Sequence, residues 1–253
     1  MIYDSHCHVE PQEEQLLADV YERAQMGVLL CAGAASELQR IQRIKREKAS
    51  FYTSFGIHPW RAEAFGKEQA PRSIVEAVEA LQDCYRKADS VGEIGMDSCW
   101  CEVDLTMQRQ VFLAQMEMAQ SLQKPVILHC KGQERQVAEL IRPFSVRKLV
   151  HWHSCHEYLE DFLDQDCYLT IGPDFDRNPA VRAVIQTAPL HRLLVETDGL
   201  AAVCWAKDRQ VSLEELPELL RQSVAAIAKE KEKSVPELEQ MLADNFSRFL
   251  IGE

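Results

Sequence analysis

No stretch of this 253-residue chain is both long and apolar enough to supply the ~20 residues that a membrane span requires, so a membrane-embedded function is not expected. Positive charge is scarce as well: 28 Lys and Arg stand against 40 Asp and Glu, a net charge of −12. The field of the whole molecule therefore repels nucleic acid and anionic membrane, and any site that handles phosphate needs local cations. Cysteine pairs at zinc-ribbon spacing are missing, and the nine cysteines are odd in number. With no secretory signal before Met1-Ile2-Tyr3-Asp4, reduced thiols and a cytoplasmic location are the expectation, and Cys99-Trp100-Cys101 reads as a loop rather than a metal clip. Repeats, low-complexity tracts and linkers rich in Pro, Gly and Ser are also lacking, so residues 1–253 are expected to form a single domain. A composition that is 46% hydrophobic and 27% charged excludes disorder.

What is present is an alternation of short apolar runs with amphipathic, charged stretches, the pattern of parallel strands joined by crossover helices. Eight strands are expected near Ile2–Ser5, Val28–Ala32, Tyr52–Ile57, Ser90–Ile94, Val126–His129, Lys148–His151, Tyr168–Ile171 and Leu193–Glu196. Helices are expected near Gln12–Gln25, Ser36–Glu47, Gln69–Ala88, Val103–Leu122, Glu134–Ile141, Glu157–Asp164 and Pro179–Thr187, with Leu213–Lys229 and Val235–Phe249 after the last strand. In Val103–Leu122 the apolar positions Val103, Met107, Val111, Ala114, Met118 and Leu122 predict one inward stripe. The economical architecture is a single (β/α)8 TIM-like barrel with extra C-terminal helices. Active sites of such barrels form where the strands end, so polar residues there carry the functional reading.

Strand 1 runs into His6-Cys7-His8, and in extended chain alternate side chains share a face, so both imidazoles can reach one metal ion. Glu93 lies in an apolar run between Gly92 and Gly95, where an unpaired carboxylate is costly and a metal or a cationic side chain would offset it. Strand 5 delivers His129, strand 6 delivers His151 with His153 two residues on, and strand 8 ends in Glu196-Thr197-Asp198. Five of eight strand ends in His, Glu or Asp make separate structural explanations for each a poor account of them together. Imidazole with carboxylate suits Zn²⁺, Mn²⁺ or Fe²⁺, whereas Mg²⁺ prefers an oxygen shell. His6, His8, Glu93, His129, His151 and Asp198 suffice for two divalent ions bridged by Glu93, a centre of about +2 net that would attract an anion and lower the pKa of bound water toward ~7.

Taken in order along the chain, Asp4–His8, Gly56–Pro59, Gly92–Asp97 with Gln108–Phe112, Lys124–Cys130, Leu149–Ser154, Leu194–Asp198 and Asn245–Phe249 resemble the TatD family of metal-dependent deoxyribonucleases in the amidohydrolase superfamily. That resemblance implies a TIM-like barrel, phosphodiester hydrolysis, often from DNA 3′ ends, and a divalent metal centre. By position, His6, His8, Glu93 and Asp198 would hold one ion and Glu93, His129 and His151 the other. His151 aligns with the ligand of the family's H-C-F-S-G stretch, and His153 stands in place of its Phe. His58 matches the Gly-x-His-Pro histidine expected near substrate phosphate, and Lys131 occupies a place where Arg is common. His58, Lys131 and His153 are the expected substrate contacts. The chain departs from the family after Asp198, where Gly199-Leu200-Ala201-Ala202-Val203-Cys204-Trp205 replaces the usual Ser-Pro-Tyr-Leu and the Arg-Asn-Pro segment.

The primary expectation is two-metal hydrolysis of DNA or another phosphodiester, with Glu93 and Asp198 as the catalytic carboxylates and Lys131, Lys207 and Arg209 as candidate phosphate contacts. A metabolite amide, ester, lactone or phosphoester is the alternative substrate class, and a barrel that binds metal without turnover is a third reading. Trp60, Trp100, Trp152 and Trp205 fall in or near strand-exit loops, where they serve either a groove or a closed pocket. The basic run Arg40, Arg43, Lys45, Arg46 and Lys48 is expected to offset a helix C-terminal dipole rather than to bind RNA. Nothing in the sequence points to an obligate protein partner.

Overall fold

The computed structural model describes residues 1–70 and 72–252. Eight strands close into an all-parallel barrel in chain order: β1 (Tyr3–Cys7), β2 (Gly27–Ala32), β3 (Phe51–Phe55), β4 (Ser90–Asp97), β5 (Val126–Lys131), β6 (Lys148–Val150), β7 (Tyr168–Ile171) and β8 (Leu193–Val195). The expected barrel is thus the observed one. Among the described residues, helices α1 (Glu14–Arg23), α2 (Ala35–Glu47), α3 (Ala62–Gln69), α4 (Ile74–Glu79), α5 (Gln82–Lys87), α6 (Leu105–Leu122), α7 (Glu134–Leu140), α8 (Leu159–Leu163), α9 (Pro179–Thr187), α10 (Leu200–Lys207), α11 (Leu216–Glu230) and α12 (Val235–Leu250) join or follow the strands. None of these helices is long and apolar enough to cross a membrane.

Period-two alternation divides each strand between two cores. Val28, Leu30, Val126, Leu128, Leu193 and Val195 pack outward with the helices, while Leu29, Ile127, Leu149 and Leu194 fill the barrel interior. The interior is closed at the strand starts by α12, whose Phe246 stacks on Tyr3 at 4.2 Å and whose Phe249 meets Tyr168. Arg147 donates to the Phe249 carbonyl, and the Asn245 amide donates to the carbonyls of Leu190 and Leu193. With one mouth blocked, only the strand exits are open for chemistry.

Two strands break the alternation where it matters. Between Asp4 and Cys7, β1 carries one residue more than the paired Val28–Leu30, and β4 does the same between Val91 and Ile94 against Val126–Leu128. A bulge re-aims the side chains that follow it. Asp4 and Cys7 therefore stay outside with α1 while His6 turns in, and Glu93 turns in while Val91 and Ile94 stay out.

The helix expected over Gln69–Ala88 is two helices, α4 and α5, with α3 before them; Pro71 of that range lies outside the described residues. Ser73 starts α4 with a reciprocal capping box to Glu76. Along α6 the buried face is centred on Gln108, Val111, Phe112, Gln115 and Ala119, whereas Met107 and Ala114 of the expected stripe are only half-buried. The two buried glutamines fasten strand exits. Gln115 brackets the backbone N–H and carbonyl of Ile57, and Gln108 does the same for Asp97. Three cations of the basic run on and just after α2 pair with acids: Arg40 with Glu14, Lys45 with Asp89 and Lys48 with Glu22.

Gly95 shows how tightly β4 meets β5. Its φ is +149°, and a Cβ there would lie 2.0 Å from the carbonyl oxygen of His129. Gly95→Ala is expected to cost about 3 kcal/mol or more, because both contacting groups are backbone and cannot move aside. Urea unfolding measures this, and an unchanged midpoint would contradict the packing described.

Candidate metal centre

Glu93 sits at the centre of the open mouth with its two carboxylate oxygens facing different partners. Its Oε1 lies 2.6 Å from His129 Nδ1 and 2.7 Å from His151 Nε2. Its Oε2 lies 3.2 Å from His8 Nε2, 3.5 Å from His6 Nε2 and 3.7 Å from His58 Nε2. Asp198 joins the second group, with Oδ1 3.2 Å from His6 Nε2 and 3.8 Å from His8 Nε2. The donors thus fall into two sets that share one carboxylate.

The strand ends account for this. His129 lies two residues beyond the inward Ile127, and His151 two beyond Leu149, so alternation alone delivers both. His6 and His8 follow the β1 bulge on one face, their rings 5.0 Å apart. Asp198 comes from a turn with positive φ at Asp198 and Gly199, held where Asp198 donates its backbone N–H to the His6 carbonyl. Asp4, which faces outward ahead of the bulge, clamps this turn: it accepts from the Thr197 backbone at 2.8 Å and hydroxyl at 2.5 Å, and from Tyr21 at 2.6 Å.

The second nitrogens of His129, His151 and His6 are also occupied. His129 Nε2 pairs with Asp97 Oδ2 at 2.9 Å, His151 Nδ1 with Glu196 Oε1 at 3.3 Å, and His6 Nδ1 with the Cys31 thiol at 3.1 Å. Such outer partners fix the tautomer and leave the opposite nitrogen with its lone pair free. Asp97 is itself held, accepting from Trp60 Nε1 and from the backbone of Cys99 and Trp100.

The donor set fits a transition-metal ion. On a tetrahedral ion with ligand bonds of about 2.0–2.1 Å, neighbouring donors stand about 3.3 Å apart. Three separations at this centre are 3.2 Å: His129 Nδ1 to His151 Nε2, His8 Nε2 to Glu93 Oε2, and His6 Nε2 to Asp198 Oδ1. His6 Nε2 is fully buried yet makes no aligned hydrogen bond among the described residues, the situation a cation would relieve.

Charge at the centre is tightly coupled. Burial alone would raise the Glu93 carboxyl, but His151, His58, His129 and His6 outweigh it and hold Glu93 well below the usual carboxylate range. Asp198 is likewise opposed by burial yet held at about 2 by the close approach of His6 and the charge of His151. Burial disfavours charge on His151, but Glu93 and Glu196 bring it up to about 9, and His6 is raised by Cys31, Glu93 and Asp198. His58 is lowered, chiefly by burial.

Above this floor is a cavity of about 290 Å³ lined by Trp60, Trp100, Trp152 and Trp205, with Lys131 and Asp198 among its polar residues. Trp152 is buried, its Nε1 donating to Asp174, while the other three indoles are at least half exposed. Trp205 rides on α10, within the segment read from sequence only as a divergent rim.

Residues 3–251 match the family described as TatD related DNase. The chain belongs to that family. Over 97% of its length this TatD-family chain is 25% identical to an uncharacterized metal-dependent hydrolase of Methanocaldococcus jannaschii, covering 95% of that protein. It is 27% identical to the 3′-5′ ssDNA/RNA exonuclease TatD of Pantoea sp., over 74% of this chain and 72% of that one. The fold matches the crystal structure of the TatD homolog YjjV from Escherichia coli with a TM-score of 0.81 at 22% identity, covering 99% of this chain and 98% of the other. The metal-dependent hydrolase read from the strand ends agrees with this membership.

His6, His8, Glu93, His129, His151 and Asp198 all converge at one mouth of the TatD barrel. His58 stands beside Glu93, and Lys131 lines the cavity, but its Nζ already donates to the Trp152 carbonyl and Ser154 Oγ. His153 is not brought to the cavity. Strand β6 ends at Val150 and Trp152 has φ +39°, so alternation fails and His153 is buried against Phe162, with burial lowering it to about 4. Lys207 pairs with Asp176, and Arg209 with Glu215, and neither is among the residues that line the cavity. The outer partners Asp97 and Cys31 and the clamp of Asp4 with Tyr21 escaped the sequence reading, since each depends on strand register.

Proposed function

We propose that this chain hydrolyses terminal phosphodiester bonds of single-stranded nucleic acid with two divalent ions, one held by His6, His8, Glu93 and Asp198 and the other by Glu93, His129 and His151. The observation that carries this reading is the division of the histidine donors between the two oxygens of Glu93. A pair of ions there would act as Lewis acids on the phosphate and make a bound water more acidic.

The protein's own groups have separable tasks. Asp198 is ionised at neutral pH and partly open to the cavity, so it can orient a water molecule and accept its proton. His58 Nδ1 accepts the Trp60 backbone N–H at 3.3 Å, which leaves the proton of the neutral ring on Nε2, facing the centre. From there it can donate to a phosphate oxygen. Asp97 and Glu196 keep His129 and His151 in the tautomers that the centre requires. The single-strand substrate draws support from the Pantoea relative's description.

The test is metal content by elemental analysis beside digestion of end-labelled single strands, with a panel of small phosphoesters in parallel. Chelator-sensitive release of nucleotides from one end is expected; a metal-loaded protein active only on the small esters would replace the nucleic-acid reading with the metabolite one.

Protons compete with the ions. At pH 7 the metal-free His151, with its value near 9, and His6, also raised, hold protons that must leave when an ion arrives. Binding of Mn²⁺ is expected to release at least one proton at pH 7, fewer as pH rises through about 9, and to weaken as pH falls. Calorimetry in buffers of different ionisation enthalpy reads the number directly. An enthalpy independent of buffer at pH 7 would contradict it.

A further inference from the structure

We infer that the indoles of Trp100 and Trp205 form a corner that holds the base of the terminal nucleotide, and that this contact rather than phosphate charge supplies most of the substrate affinity. The inference rests on the proposed hydrolysis of single-stranded ends and adds what recognises them. The two rings are among the most exposed large apolar side chains of the molecule, at 58% and 60%, and meet edge to face with centroids 5.7 Å apart and planes at 88°. Trp205 is braced from below by the buried Trp152 at 5.9 Å, itself fixed through Asp174. A right-angled pair cannot sandwich a base, but it offers one face to stack on and one wall to abut. Every base has a π-face, so such a corner is tolerant of sequence.

Charge argues the same way. Among the described residues lining the cavity Lys131 is the one lysine or arginine, and its Nζ is already engaged with Trp152 and Ser154. Lys207 and Arg209 are paired with acids, and the chain carries −12 overall. Among the described residues the lining itself therefore offers no run of lysine and arginine to a strand that leaves the cavity. The cavity, about 290 Å³, is at the low end of the range for small-molecule sites, near ~300 Å³, and accommodates one base with its sugar rather than a run of nucleotides.

The test compares wild type, Trp205→Ala, Trp100→Ala and Trp205→Phe on short oligonucleotides ending in adenine or in an abasic tetrahydrofuran. Loss of one stack corresponds to a rise in KM of about 5- to 150-fold. Trp205→Ala and Trp100→Ala are each expected to show it on the adenine end, with little change on the abasic end, and Trp205→Phe to restore most of the difference. KM of wild type is expected to change no more than about threefold between about 50 and about 200 mM salt, as for at most one phosphate contact. Binding is read independently of turnover by quenching of tryptophan fluorescence with deoxyadenosine monophosphate on metal-free protein. Quenching lost in Trp205→Ala supports the corner even where no hydrolysis is found, an outcome that would remove only the hydrolytic reading. Chelator-sensitive hydrolysis with equal KM for adenine and abasic ends, or a steeper salt dependence, would overturn the corner and leave the hydrolase standing.

Discussion

Replacing Glu93 by Gln is expected to reduce hydrolysis by about 10³-fold or more and to lower the bound metal from two ions to at most one. The amide keeps the shape of the side chain but loses its charge, and one of its two ends becomes a nitrogen that is a poor ligand. Whichever way the amide turns, one donor set loses its oxygen: His129 and His151 on one side, or His6 and His8 on the other. Lewis-acid stabilisation by such ions is worth several kcal/mol, and each 1.36 kcal/mol is tenfold in rate. The histidines also lose the carboxylate that favours their protonated forms, so His151 should titrate below its value of about 9 in the metal-free variant. Elemental analysis, single-turnover rates and nuclear magnetic resonance titration of the imidazoles check the three consequences. Two ions and the wild-type rate in Glu93→Gln would show that Glu93 does not bridge.

The barrel, His129 and His151 were legible because each follows from a local rule, whereas His6, His8, Glu93 and Asp198 were legible as donors at strand ends but owe their inward aim to bulges and a turn. Hydrophobic runs alternating with amphipathic segments give a parallel barrel, and period two carries Ile127 to His129 and Leu149 to His151 on the inner face. The same rule misled at His153, since it holds only while the chain stays extended, and β6 ends at Val150. The helices around Pro71 and the helical form of Leu200–Lys207 were not read for a different reason. The first has its start signal in Ser73 and Glu76, which was there to be seen; the second is apolar nearly throughout and lacks the periodicity by which a surface helix is recognised. What no single sequence supplies is register between distant strands. The bulges in β1 and β4 decide that His6 and Glu93 enter the interior, and the pairing of Gly95 with His129 brings Asp97 beside the ring it holds.

Asp198→Asn is expected to lower kcat by about 10²- to 10⁴-fold while most of the fold's stability and at least the ion at Glu93, His129 and His151 are retained. The range is that of a positioned general base. Asp198 does not belong to that half of the centre: its Oδ1 faces His6 and His8, and it reaches the mouth on a turn held by its own backbone and by Asp4, not by its side chain. Asn fits the same turn and tolerates its positive φ, 60° at this residue, so the backbone has no reason to move. What disappears is a carboxylate held near 2 that can take up a proton at neutral pH. The response to metal separates this role from simple ligation. Loss of a base is not answered by excess Mn²⁺, whereas loss of a pure ligand is. Recovery of the wild-type rate and profile at high Mn²⁺ would therefore reduce Asp198 to a metal ligand and move the proton acceptor elsewhere in the centre.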